Sequence, residues 1–175
     1  MNNIYSQFRV QKDEFFEIDP NSPLTGEQKQ SFGGLNYFPV NEGLRFEVPI
    51  EKFDQQEEVQ IQTNTGEVRT FTRYGRVYFT VDGDEAALTV YANPHGFFIP
   101  FVDALAGKET YGAGRYLDPE ITPEGKMELD FNLAYNPYCA YNDLYSCPLP
   151  PVENRLSVPI KAGEKNFKSD LSYNT

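Results

Sequence analysis

The sequence is short of basic residues, and it contains one histidine and two cysteines. Lys and Arg total 15 residues, whereas Asp and Glu total 26, which gives a formal net charge of −11. A field of this sign repels polyanions, and no basic stripe interrupts it. The composition therefore disfavours nucleic acid and anionic membrane surfaces as partners, and solubility is the simplest reason for such acidity.

Long apolar runs are also missing from the chain. No run approaches the roughly 18 residues that a membrane-spanning helix needs. The opening segment, MNNIYSQFRVQKDEFFEID, has no apolar region behind a basic one, which is the pattern of a secretory signal. We therefore expect no membrane partner and a cytoplasmic location for the chain as it stands.

The scarcity of histidine and cysteine limits metal and thiol chemistry. Cys139 and Cys147 lie eight positions apart and do not form the CxxC pairs typical of zinc sites, so a metal site is not favoured. A disulfide would stabilise the loop by roughly 2–3 kcal/mol and suits an oxidising compartment, whereas two buried thiols suit the cytoplasm. We favour the thiols slightly. His95, between Pro94 and Gly96, is typical of a turn residue, although it is conceivable as a base for a thiol nucleophile.

Aromatic residues supply most of the apolar material. The chain has 14 Phe and 12 Tyr within a hydrophobic content of 39%. Each ring carries a large apolar area, so a core can form with few aliphatic side chains. A buried tyrosine hydroxyl needs a partner, which predicts a polar network at the edge of that core.

The N-terminal segment is predicted to be helical. Residues 4–17 place apolar side chains on roughly one face and charged or amide side chains on the other. A second, short helical turn is expected from Thr25 to Gln30. Thr25 is its predicted N-cap, and Gln28 would complete a capping box.

From residue 44 the apolar pattern changes to a period of two, which is typical of half-buried strands. Asp82-Gly83 stands between two apolar runs and predicts a tight hairpin turn. About eight or nine short strands at regular spacing favour a mostly β fold, an antiparallel barrel or split barrel with an N-terminal helix. The predicted strands are 44–50, 59–61, 68–72, 77–81, 86–91, 97–101, 116–117, 127–131 and 156–160.

The chain is expected to form a single domain over residues 1–175, since its length fits one core and no linker or internal repeat divides it. A helical segment at 1–30 would pack on a barrel at 31–163. The polar residues 164–175 are predicted to form a frayed tail.

Unusual residues concentrate between Phe98 and Ala162. The segments FIPFVDALAGKETYGAGRYLD, LDFNLAYNPYCAYNDLYSCPLPPVEN and RLSVPIKAGEK contain both cysteines and much of the Asn, Tyr and Pro. Together with SPL and GLNYFP nearer the N-terminus, they resemble the bacterial domain-of-unknown-function family DUF1684 over nearly the whole chain. The resemblance implies no activity, because the family has none assigned. The chain departs from the family at Tyr138, where a proline is frequent, and at Val102 and Leu133, where a basic residue is frequent.

The glycine-rich loop at 107–116 is the strongest candidate site. Its glycines allow a ligand to approach the backbone closely, or turns with positive φ. Lys108 and Arg115 could clamp a carboxylate or phosphate, and Thr110 and Tyr111 add hydroxyl groups. The loop matches neither the Walker A nor the dinucleotide GxGxxG pattern. Alternatively, it is a connection between strands whose arginine pairs with a carboxylate.

A second candidate group consists of asparagine and tyrosine side chains between residues 132 and 154. Such side chains can orient a small polar ligand, and they can equally cap loops through bonds to the backbone. Just before the glycine-rich loop, Asp103 is predicted to form an ion pair with Arg115 in preference to acting as a base. The members of this second group are Asn132, Tyr135, Asn136, Tyr141, Asn142 and Asn154.

Three functions remain open from the sequence. The first is a binding module for a small anionic or polar molecule. The second is an enzyme in which Asp103 or Tyr111 moves a proton and Arg115 stabilises negative charge. One version of this hypothesis includes a flavin or phosphate ligand. The third is a structural or interaction domain without a ligand. The predicted ligand-binding residues are Lys108, Thr110, Tyr111, Arg115, Tyr116, Tyr135, Asn136 and Asn142.

Overall fold

The computed structural model describes residues 2–167. Two helices come first, α1 at Asn2–Ile18 and α2 at Gly26–Gln30. The Thr25 hydroxyl accepts a hydrogen bond from the Gln28 N–H at 3.2 Å, and the Gln28 side chain accepts one from the Thr25 N–H at 2.8 Å. Both helices and the capping box between these two residues are confirmed.

The rest of the fold is mostly β, as the sequence predicts. Strands missed by the period-two pattern are the two-residue β2 and β8, which are too short to show an alternation. The strands are β1 Arg45–Val48, β2 Glu51–Lys52, β3 Glu58–Gln62, β4 Val68–Val81, β5 Asp84–Asn93, β6 Gly96–Phe101, β7 Arg115–Leu117, β8 Glu120–Ile121 and β9 Met127–Asp130.

The strands form two antiparallel sheets. The smaller sheet has the order β1-β9-β8, and the larger has the order β2-β4-β5-β6-β7, with β3 also pairing with β4. Within residues 2–167 neither sheet closes on itself, so the predicted barrel is present only in the loose sense of two open sheets that share a core.

β4 joins two segments that the sequence predicts as separate strands, 68–72 and 77–81. The register of its pairing with β5 shifts between Arg73 and Gly75, which marks a β-bulge. A Cβ at Gly75 would lie 2.7 Å from the carbonyl oxygen of Glu51 on the neighbouring strand. Glycine is therefore required where β2 and β4 approach each other.

The hairpin between β4 and β5 is the one that Asp82-Gly83 predicts. Asp82 has φ 50° and Gly83 has φ 87°, so both central residues adopt the left-handed region that a two-residue type I′ turn requires. The hairpin is confirmed, and it sets the register of the two longest strands.

The predicted strand at 156–160 is wrong. Its backbone groups find partners elsewhere: the Leu156 N–H donates to the Val102 carbonyl at 2.7 Å, and the Ile160 N–H donates to a carboxylate oxygen of Asp103 at 2.8 Å. At Ile160, a side-chain carboxylate therefore takes the place of the backbone carbonyl that a neighbouring strand would supply. The segment is irregular but still buries apolar side chains in the core.

The main core lies between the two sheets. Fully buried side chains from both sheets meet there, including Val77, Leu88, Ile99 and Met127, with Phe131 just after β9. A second cluster on the larger sheet combines aromatic rings with both cysteines, and a third holds α1 through Phe16, which is 1% exposed.

The polar edge that the tyrosines predict is present. The Tyr91 hydroxyl donates to Glu153, and the Tyr141 hydroxyl donates to Glu164 at 2.9 Å. Glu164 also forms an ion pair with Lys12 of α1 at 2.6 Å.

The predicted tail does not begin at residue 164, because Glu164 is buried. Asn166 also holds the chain in place, since its side-chain amide donates to the Lys108 carbonyl at 2.9 Å. Residues 168–175 lie outside the described residues. Between residues 2 and 167, no helix has the length and apolar character needed to cross a bilayer.

Candidate functional site

Arg115, the predicted charge clamp, lies in the protein interior with 1% exposure. One guanidinium nitrogen donates to the carbonyls of Ala162 at 2.6 Å and Glu164 at 3.0 Å, and the other donates to the carbonyl of Ile160 at 2.9 Å. Desolvation lowers the pKa of Arg115 to about 10, although the nearby carboxylates oppose that shift. Arg115 thus fastens the C-terminal segment to β7, and this position does not suit a ligand clamp.

Asp103 completes this buried polar cluster. Its carboxylate lies 3.7 Å from the Arg115 guanidinium, so the predicted ion pair is present. The Thr110 hydroxyl donates at 2.7 Å to the same Asp103 oxygen, Oδ1, that faces the guanidinium. Asp103 and Thr110 are buried with their polar atoms facing protein groups, which places both away from solvent-borne ligands.

The remaining predicted residues of the loops are dispersed. Lys108 is exposed at the surface. The side-chain amide of Asn136 donates to the Lys165 carbonyl at 2.9 Å, and that of Asn142 donates to the Pro23 carbonyl at 3.2 Å. These two asparagines act as loop fasteners in the structure.

An open groove of about 520 Å³ lies beside this buried cluster, and Tyr116 and Tyr135 from the predicted set line it. Its walls come from β4, β5, β6 and β7 and from the segments that follow β7 and β9. We call it the aromatic groove. The residues that line it are Phe71, Asn93, Phe98, Tyr116, Asp118, Tyr135, Pro137, Tyr138, Tyr145, Ser146, Cys147 and Pro148.

Packing between rings holds the walls of the aromatic groove. Phe71 and Phe98 are stacked with centroids 5.2 Å apart, and Phe98 meets Tyr116 edge to face at 4.7 Å. Tyr116 meets Tyr135 at 5.7 Å. Each ring limits the rotation of the next, so the groove presents a preformed apolar wall.

A carboxylate stands at the mouth of the groove. Asp118 follows β7 directly and is exposed, and its carboxylate accepts a hydrogen bond from the Tyr135 hydroxyl at 2.7 Å. Partial removal of water by the groove walls raises the pKa of Asp118, whereas the Tyr135 hydrogen bond and Lys12 oppose this. Burial and the charge of Asp118 raise the pKa of Tyr135. The Lys12 ammonium lies 5.1 Å from the centre of the Tyr135 ring.

A second depression, of about 480 Å³, adjoins the aromatic groove and shares Asn93, Phe98 and Asp118 with it. His95 lines this depression from the turn between β5 and β6, where its N–H donates to the Asn93 side chain at 2.8 Å. Glu120 lines the opposite part. Asp118 and Glu120 are thus the acidic side chains among the lining residues of the two openings, and the Lys12 ammonium lies nearby against the Tyr135 ring.

The two cysteines are free, buried thiols, and Cys147 lines the groove. The Cys139 N–H donates to the Cys147 sulfur at 3.3 Å, and the Tyr111 hydroxyl lies 3.7 Å from the Cys139 sulfur. Tyr111, predicted as a ligand or proton-transfer residue, thus contacts a thiol. Among the described residues no cluster of three or more His, Cys, Asp or Glu side chains is arranged to hold a metal ion.

Sequence reasoning missed several residues of the groove. Asp118 was one of 26 acidic residues, and its position directly after a strand was the only available signal. Phe71 and Phe98 appeared as ordinary alternating strand residues. Tyr145 belonged to the tyrosine-rich loop, but its pairing with Tyr138, at 5.2 Å between centroids, depends on the fold of that loop.

The family described as "Protein of unknown function (DUF1684)" matches residues 30–165. No curated protein matches the chain. A solution NMR structure of an uncharacterized protein of Haloarcula marismortui is similar, with 33% sequence identity and a TM-score of 0.70 over 94% of this chain and 93% of that one. The chain belongs to the DUF1684 family.

Proposed function

We propose that this protein is a binding module that holds a small polar organic molecule in the aromatic groove. The observation that carries the proposal is the groove itself, about 520 Å³ with six aromatic rings and one carboxylate among its lining residues. Ligand sites are typically concave, mostly apolar and equipped with a few polar groups that fix orientation. The rings would cover an apolar face of the ligand, and Asp118 would accept a hydrogen bond from it.

The charge of the ligand follows from the lining residues. Neither the aromatic groove nor the adjoining depression has Lys or Arg among its described lining residues. Asp118 and Glu120 are among these lining residues, and the whole chain has a formal net charge of −11. We therefore propose a neutral or cationic ligand. An anionic one was predicted only because of Lys108 and Arg115, and neither lines the groove.

The enzyme hypothesis receives less support. Of its three predicted catalytic residues, Asp103 and Arg115 are buried and bonded to protein groups. A flavin or other phosphate-bearing ligand would need cationic or backbone donors, whereas the groove offers aromatic rings and a carboxylate. Binding alone is the simpler proposal.

Three probes of the same size and different charge test the proposal. Phenethylamine is cationic, 2-phenylethanol is neutral and phenylacetate is anionic at neutral pH, and each carries one phenyl ring. We expect the melting temperature to rise with excess phenethylamine, to rise less with 2-phenylethanol and to stay unchanged with phenylacetate, because only a ligand that binds the folded state stabilises it. NMR titration of the aromatic resonances should locate the binding at the groove.

Two pairs of variants make this test specific. Asp118→Asn should weaken phenethylamine binding by about fivefold, as expected for an exposed charge pair, and Asp84→Asn at the far end of β5 is its control. Tyr145→Ala should weaken all binding by about 2- to 10-fold, since it removes one wall, with exposed Tyr78→Ala as control. If all three probes leave the melting temperature and the spectra unchanged, the protein is better described as a structural or interaction domain.

A further inference from the structure

Cys139 and Cys147 are placed within reach of each other. The Cys147 sulfur lies 3.3 Å from the backbone nitrogen of Cys139. The Cys147 sulfur is therefore already next to the Cys139 backbone. Rotation about the Cα–Cβ bond of Cys139, with a small backbone adjustment, can bring the two sulfurs to bonding distance. Both cysteines are free thiols in the structure.

The two thiols have unequal surroundings. Hydrogen bonding from the Cys139 thiol and from the N–H groups of Cys139 and Tyr138 lowers the pKa of Cys147 to about 6, against the opposing effect of burial. The same pairing raises the pKa of Cys139. At neutral pH, Cys147 is therefore the more nucleophilic sulfur and Cys139 is the thiol that supports it.

Both thiols are buried, with 7% exposure for Cys147 and 6% for Cys139, and they differ in their position relative to the groove. Cys147 lines the aromatic groove, which opens to solvent. Cys139 lies behind it in the 3₁₀ turn at Tyr138–Ala140, with its sulfur next to the Tyr111 hydroxyl. A small molecule that enters the groove reaches Cys147 first. A low-pKa thiol that lines a groove and is backed by a second thiol is an arrangement typical of redox-active cysteine pairs.

The backbone around the pair is fastened at Cys147 and also between the two cysteines. Cys147 is held by Asn64, whose side chain accepts from the Cys147 N–H at 2.7 Å and whose N–H donates to the Cys147 carbonyl at 3.2 Å. Between the cysteines, Tyr141 is 5% exposed and the side-chain amide of Asn142 donates to a backbone carbonyl at 3.2 Å, whereas Leu144 is 89% exposed. The fold therefore holds the two cysteines close together, and bond formation depends mainly on rotation of their side chains.

We propose that Cys139 and Cys147 form a redox-active dithiol that exchanges with low-molecular-weight disulfides entering through the aromatic groove. The Cys147 thiolate attacks one sulfur of the disulfide, the original S–S bond breaks, and the first leaving thiolate takes a proton from water. Cys139 then gives its proton to water and attacks the Cys147 sulfur, and the second small molecule leaves as a thiolate that takes a proton from water. Two protein thiols are oxidised to one disulfide, and the small disulfide is reduced to two thiols.

The first test uses the reduced wild-type protein with glutathione disulfide. We expect an intramolecular disulfide, seen by mass spectrometry as the loss of two hydrogens after acid quenching, and its reversal by excess reduced glutathione. Iodoacetamide should modify Cys147 with a rate whose half-maximal pH lies below the value of about 8.5 expected for an ordinary thiol, because the pKa of Cys147 is lowered. Alkylation of either cysteine only after denaturation would overturn the proposal.

Two single substitutions test the order of attack. Cys139→Ser should stop at the mixed disulfide between Cys147 and glutathione, because the second thiol is gone. Cys147→Ser should lose at least tenfold in the rate of reaction with glutathione disulfide. The opposite pattern, with a stable mixed disulfide on Cys139, would contradict the assignment, and so would a wild-type disulfide that excess reduced glutathione leaves intact. Circular dichroism confirms that each variant is folded, and the alkylation profile of the wild type needs no variant.

Discussion

At the scale of single residues, Arg115 shows how a side chain that resembles a ligand clamp can serve the fold. Its donors are directed to three carbonyls of the segment that ends near Glu164, and its charge is partly balanced by Asp103. The glycine-rich context of the loop correctly indicated an unusual position. Its burial was not predictable, because the acceptors lie 45 to 49 residues further along the chain.

Replacement of Arg115 by alanine should destabilise the protein by about 3–5 kcal/mol, since it leaves Asp103 buried without its counter-ion and strips three carbonyls of their donors. Urea unfolding at neutral pH measures the loss. Lys161→Ala is the matched control, because this exposed cation lies within the same segment, and it should change stability by less than about 0.5 kcal/mol. A stable Arg115→Ala variant that loses only ligand binding would restore the clamp interpretation.

At the scale of elements, the parts predicted correctly are those encoded within a few residues. The capping box of α2 needs only Thr25 and Gln28, and the hairpin between β4 and β5 needs only Asp82-Gly83. The strand prediction for 156–160 was wrong because the Ile160 N–H bonds to the Asp103 carboxylate, which lies 57 residues earlier in the chain. Likewise, the aromatic groove gathers residues from four strands and from the segments after β7 and β9. Of its lining, the sequence identified Tyr116 and Tyr135 as ligand-binding residues and Cys147 as part of a thiol pair.

A short turn that joins two strands gives a prediction for pH. Glu153, in the 3₁₀ turn Val152–Asn154, accepts two hydrogen bonds from Arg73 of β4 at 2.7 and 3.1 Å and one from Tyr91 of β5. Hydrogen bonding to Arg73 holds the pKa of Glu153 below its ordinary value of 4.5. A carboxyl with a lowered pKa in the folded state stabilises the protein above its unfolded pKa, and this contribution disappears as the pH falls through the folded value.

Glu153→Gln should therefore cost about 1 kcal/mol at pH 7, allowing for solvent screening, and the difference from wild type should shrink below about pH 4.5. Urea unfolding across this range tests the expectation. Glu67→Gln is the control, because Glu67 pairs with Arg69 in the open and should show a smaller difference. A difference that persists unchanged at pH 3 would mean that Glu153 acts through packing alone.

At the scale of the whole molecule, the N-terminal helix is integral to the domain although the family match begins at residue 30. Lys12 of α1 lies 2.6 Å from the Glu164 carboxylate, whose side chain is 2% exposed. Phe16 of the same helix contacts the Tyr141 ring at 4.9 Å between centroids. The helix therefore covers both a buried charge and an aromatic cluster next to the groove.

A chain that begins at residue 30 should lose more than about 3 kcal/mol of stability, because Glu164 loses its counter-ion and the third core cluster becomes exposed. Thermal unfolding by circular dichroism measures this loss. Lys12→Met in the full chain removes the charge but keeps the apolar contacts of α1. Its stability should lie between that of the wild type and that of the shortened chain. A shortened chain with an unchanged melting temperature would show that α1 is dispensable.

The position of Arg115 has a consequence for synthesis. The ribosome releases the chain from the N-terminus, so β7 emerges about 45 residues before the carbonyls that receive the guanidinium. Until then the arginine has its Asp103 counter-ion but lacks its three carbonyl acceptors, so burying it in the larger sheet is costly. Final closure of the domain must therefore wait until residues 160–164 have left the exit tunnel.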